Sequence, residues 1–142
     1  MHEHLRRIYQ CLEYITAEIE NTILPASNVF NRLKLDVYAH TALDPETLTA
    51  DECRVIEPEL SILINRLQKH RKGIENMMEV YIVTVREVRN CNHPTLLSRL
   101  ESDIKWKIRN LLYEVLYEEY LVDCYKIKLE YHQNVTNFAL SE

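Results

Sequence analysis

Leu5, Ile8, Leu12, Ile15 and Ile19 recur at alternating steps of three and four, the spacing of one apolar stripe on an α-helix. Glu3, Arg6, Arg7, Glu13, Glu18 and Glu20 fall between them and belong to a solvated face. The pattern predicts a first helix over 3–23, which Pro25 stops because it brings no N–H to the helical ladder. Residues 24–49 are less regular. Ser27 is placed to cap a short helix burying Phe30, Leu33 and Val37, while the alternation of Leu33, Leu35 and Val37 also fits a strand. A helical or irregular crossover is the better reading, because no second strand is visible to pair with. Asp44-Pro45 reads as an N-cap followed by proline at the first helical position.

Thr49-Ala50-Asp51-Glu52 has the spacing of a capping box, so a helix starts near residue 50. Pro58 lies too deep in that helix to be silent and is expected to kink or restart it. From residue 59 the pattern is long and regular: Leu60, Leu67, Ile74, Tyr81 and Val88 stand seven apart. Leu63, Ile64, Met77, Met78 and Val85 fill most of the turns between. The stripe crosses Gly73 without changing phase, which predicts one helix over 59–90, about 45 Å long at ~1.5 Å per residue. Two helices joined at Lys72-Gly73 are the alternative. Asn90-Cys91-Asn92-His93-Pro94 is a turn, and Pro94 opens a last helix to about residue 131 along Leu97, Leu100, Ile104, Ile108, Leu111, Val115, Val122, Tyr125 and Leu129. The expected fold is all-α: an antiparallel bundle of three long helices (about 3–23, 59–90 and 94–131) with short helical segments in the 25–57 crossover. It forms a single domain over 1–142 with a frayed tail from 132.

Composition sharpens the functional side. The chain has one glycine and four prolines in 142 residues, so it lacks the positive-φ machinery of phosphate loops, dinucleotide folds and nucleophile elbows. At this length roughly 70% of the unfolded surface is buried without staples. The 22 acidic against 17 basic side chains leave a net charge of −5, which argues against general nucleic-acid binding. No apolar run approaches the ~20 residues of a membrane span, and the N-terminus has no signal-peptide core. The expected setting is cytoplasmic or nuclear; the alternative is the mature part of a secreted protein carrying an added methionine.

No Cys-x-x-Cys, His-Glu-x-x-His or Glu-x-x-His pattern is present, so no cofactor or metal is expected. His2, Glu3 and His4 offer at most weak chelation at a polar terminus, and His40, His70, His93 and His132 are scattered. If the long helices are antiparallel, Cys91 at the turn reaches neither Cys53 nor Cys124, so any disulfides are Cys53–Cys124 and Cys11–Cys91. Four free thiols are the favoured reading, since a chain of this length needs no disulfide. Asn134-Val135-Thr136 is a glycosylation sequon in the expected tail.

Two surfaces remain. Arg66, Lys69, His70, Arg71 and Lys72 form a basic cluster suited to an acidic partner or, more ordinarily, to a solvated face. Trp106, Tyr113, Tyr117, Tyr120, Cys124 and Tyr131 form a second stripe on the last helix, off its aliphatic stripe. A helix with two apolar faces is either buried on both sides or offers one to a partner. These features point to a non-enzymatic protein–protein interaction module, an adaptor or complex subunit inside the cell. Its contact residues are Trp106, Tyr113, Tyr117 and Tyr120, then Arg66, Lys69 and Arg71. The partner is another protein, with self-association possible, and neither nucleic acid nor membrane is expected. The alternative is a secreted cytokine-like helical ligand with two disulfides.

Overall fold

A computed structural model describes residues 3–141. The described residues form α1 (Glu3–Thr41), a 3-10 turn (Pro45–Thr47), α2 (Ala50–Asn90), α3 (Pro94–Arg99), a π-helical turn (Leu100–Ile104) and α4 (Lys105–Ser141). This is the all-α helical bundle that the periodicity predicts.

The helix ends differ from the sequence reading in informative ways. Pro25 does not end α1 and Pro58 does not restart α2. The segment 25–41, read as a crossover, is the second half of α1. The reason lies in the stripe. Leu12, Thr16, Ile19, Ile23, Phe30, Leu33 and Val37 are all buried and keep one phase across Pro25. Burying Phe30, Leu33 and Val37 is worth roughly 6 kcal/mol, which exceeds the ~3 kcal/mol of an interior proline. Leu35 points away from this stripe and is exposed, which disposes of the strand alternative. The capping box is made as expected: the Thr49 N–H donates to Glu52 Oε1 at 3.1 Å, and the Glu52 N–H to Thr49 Oγ1 at 3.2 Å. α2 also runs through Gly73 unbroken, and α4 extends past residue 131, so the tail expected to fray is helical to Ser141.

The α2–α3 turn shows how the chain manages with one glycine. Asn92 takes the left-handed conformation, φ 55°, at the end of α2. The His93 N–H bonds to the Val88 carbonyl at 3.3 Å and the Asn92 N–H to the Arg89 carbonyl at 3.1 Å, the two bonds of a Schellman cap. His93 Nδ1 then accepts from the Leu96 N–H and caps α3. The π turn has a sequence cause too. Leu96, Leu100, Ile104 and Ile108 are all buried at successive steps of four, which drift around an ordinary helix. A wider turn, closed by the Lys105 N–H on the Leu100 carbonyl, keeps them on one face.

The chain divides into two compact units, Met1–Val29 with Arg71–Glu114, and Phe30–His70 with Val115–Glu142. In the first, Leu12, Ile19, Ile23, Ile74, Tyr81, Val88, Leu96, Leu100, Ile104 and Ile108 make the core. The Tyr9 hydroxyl donates to the Cys91 carbonyl at 2.7 Å, Glu13 meets His93, and Glu20 pairs with Arg99. These partners ascend together, so α1 runs parallel to the third helical segment. The Arg99 guanidinium holds the Glu20 carboxyl below its usual value. In the second unit the core is Phe30, Leu33, Val37, Cys53, Leu60, Leu63, Leu67, Val115, Val122, Tyr125 and Leu129. Phe30 stacks on His70, Asp36 pairs with Arg66, and His40 with Glu59. One index rises as the other falls, which is the signature of antiparallel α1 and α2.

Candidate docking face on the last helix

Through residue 131, α4 carries apolar positions on two sides. In the first unit Ile108 and Leu111 turn inward, while Trp106 and Tyr113 turn out. In the second unit Val115, Val122 and Leu129 are buried, while Tyr117, Tyr120, Ile127, Tyr131 and Phe138 are exposed. Trp106, Tyr113, Tyr117 and Tyr120 are 58%, 55%, 59% and 62% exposed, so α1 does not cover the second stripe.

The outward residues of the first unit are held in place. The Arg109 guanidinium carbon lies 5.8 Å from the Trp106 ring centre and 5.6 Å from that of Tyr113. Arg109 also donates to the Tyr113 hydroxyl at 3.2 Å. A cation shared between two rings, three residues before it and four after, restrains both. In the second unit the Tyr120 hydroxyl is raised from its usual pKa chiefly by its hydrogen bond with the Cys124 thiol.

The basic cluster fares differently. Arg66 is engaged by Asp36 at 3.0 Å, and Arg71, two-thirds buried, by Glu75 at 2.9 Å. Lys69 is exposed and carries no ion pair among the described residues. Two of the three positions are therefore occupied within the fold.

A basic groove that no local motif announces lies instead in the first unit. Met78, Tyr81, Ile82, Val85 and Leu112 form its apolar floor, and Arg86, Arg89, Lys105 and Arg109 its rim, around about 570 Å³. Glu101, on the π turn, pairs with Arg89; Arg86 and Lys105 have no ion pair among the described residues. The available signal was the arginines of α2 at steps of three and the steps of four through 96–108, but antiparallel pairing had to be known to combine them.

The chemistry elsewhere is sparse. All four cysteines are free thiols, so neither Cys53–Cys124 nor Cys11–Cys91 is joined. Burial raises the Cys53 thiol, which makes it unreactive. No group of three or more potential metal ligands converges among the described residues; His2 lies outside them. No helix among them is long and apolar enough to cross a membrane. Comparison of the chain with protein-family models, with curated proteins and with solved structures finds no match.

Proposed function

We propose that this chain is a non-enzymatic protein–protein interaction module, an adaptor or complex subunit of the cell interior that docks through the outward face of α4. The observation that carries the reading is the exposure of Trp106, Tyr113, Tyr117 and Tyr120 on a helix whose opposite face is already buried. Tyrosine and tryptophan dominate interface hot spots because each buries a large amphipathic area at the cost of few torsions. Scattered exposed apolar residues are ordinary, but aromatics that recur on one side of a helix are not scattered. Free thiols suit a reducing compartment. The groove rimmed by Arg86 and Lys105 adds a basic flank, whereas Arg66 and Arg71 of the cluster at 66–72 are already ion-paired.

The test replaces Tyr113 and Tyr117 with serine. Both side chains are more than half exposed, so circular dichroism and the melting temperature should stay within the small range of surface changes, about 0.5 kcal/mol. Capture of the native partner should be lost. Unfolding of the double variant, or undiminished capture, would defeat the reading.

A further inference from the structure

We propose that the occupant of this face in the second unit is a second copy of the chain, with the two α4 segments pairing in parallel along a heptad seam. The inference rests on the reading of α4 as a docking face and names its partner.

The spacing comes first. Tyr117, Cys124, Tyr131 and Phe138 stand seven apart, and Tyr120, Ile127 and Asn134 occupy the positions three residues after the first three of them. These are the a and d positions of a coiled coil. The stripe that faces the core, Val115, Val122 and Leu129, falls on f, diametrically opposite. The seam is open to solvent except at Cys124, which is half-buried: Ile127, Tyr131 and Phe138 are 66%, 71% and 66% exposed.

The flanking residues then select the occupant. In a parallel pair each g residue faces the e residue five positions further along the other chain. Pairing this chain with itself sets Asp123 against Lys128 of the second copy, Leu116 against Leu121, and Glu130 against Val135. Along α4 the two-fold register makes the Asp123–Lys128 pair twice and sets no like charges opposite each other. All these residues lie at least partly in solvent. In an antiparallel pair g faces g and e faces e, so Asp123 and Lys128 no longer meet and their opposite-charge pairing is lost. Self-complementarity of both the apolar seam and its flanks is what a two-fold interface requires. An in-register polar Asn134 at d fixes the alignment in the way buried asparagines do in coiled coils.

The available area is adequate. With roughly 200 Å² for each aromatic side chain, the exposed seam amounts to about 600 Å² per chain. Two chains then bury about 1,200 Å², the lower edge of specific interfaces, which implies a reversible dimer. A glycan at Asn134 is sterically incompatible with this seam, so the dimer and glycosylation of the sequon exclude each other.

Sedimentation equilibrium of the full chain at about 10 to about 200 µM should give a species approaching twice 17.0 kDa. Ile127→Glu, at an exposed site, should leave helicity intact and give monomer. Asp123→Lys should weaken association several-fold, and adding Lys128→Asp should restore it. In the parallel register Cys124 faces its own copy within disulfide reach, a Cα separation under about 7 Å. With Cys11 and Cys91 replaced by serine, diamide should therefore link two chains, accepting the two electrons and two protons released by the thiols. Cys124→Ser should abolish the link. Monomer at the highest concentration, a dimer indifferent to Ile127→Glu, or failure of the charge swap to rescue would each overturn the proposal. If the chain is monomeric yet Tyr117→Ser still loses capture of a different protein, the second-copy occupant is refuted while the docking face stands.

Discussion

Gly73→Ala is the simplest test of the helical frame. Gly73 sits in the interior of α2, exposed, with no positive φ. A Cβ built there meets nothing within 4 Å. The methyl group therefore adds neither a clash nor a buried contact, and the whole effect is the backbone freedom that glycine retains in the unfolded chain. That freedom is worth about 1 kcal/mol in a helix interior. With ~2.1 cal/mol/K of unfolding entropy per residue, a chain melting as one cooperative body gains about 3 °C, and a first unit melting by itself about 6 °C. Urea titration followed by circular dichroism, with an unchanged m-value, isolates the stability difference. A loss of stability, or a gain below about 0.3 kcal/mol, would mean that α2 is not helical at this point. The alternative of two helices joined at Lys72-Gly73 would then return.

Two further outcomes follow from the second unit. The Tyr125 hydroxyl is buried with no hydrogen-bond partner among the described residues, and burial raises its pKa. Tyr125→Phe removes a desolvated polar group and should stabilise the fold by about 1 kcal/mol in the same titration; a loss of that size would reveal a partner for the hydroxyl. The His40 ring donates from Nδ1 to the Asp36 carbonyl at 2.8 Å and, when protonated, from Nε2 to Glu59 at 3.0 Å, and the Asp36 bond in particular raises its pKa above the usual 6.5. A raised value means that the folded state binds the proton more tightly. Its contribution is complete below pH 6.5 and is lost as pH climbs through the folded value. His40→Gln should therefore flatten the fall in stability as pH rises above 6.5, and a profile unchanged by the substitution would refute the assignment.

Local rules with local partners were readable directly. Thr49 and Glu52 cap each other across three residues, the 90–94 turn ends one helix and starts the next, and the stripe through Gly73 keeps its phase. The same argument from phase applied to Pro25 would have joined Phe30, Leu33 and Val37 to the first helix. The proline rule is a statement about an isolated helix, and here the burial of a distant stripe outweighs it. The π turn was likewise present in the steps of four from Leu96 to Ile108, but its reason is a core that only the packed chain supplies.

The candidate surfaces divide along the same line. That α4 has two apolar faces follows from residue order alone, because side chains seven apart share a side of any helix. Which face is covered depends on what packs against it, and the folded chain covers the aliphatic one and leaves the aromatic one in solvent. Charge is still less local: Arg66 loses its availability to Asp36, thirty residues earlier, while Arg86 and Lys105 share a groove through antiparallel pairing. Periodicity specifies which residues travel together on a helix; burial and ion pairing are contacts between helices, and they exist only once the chain has folded.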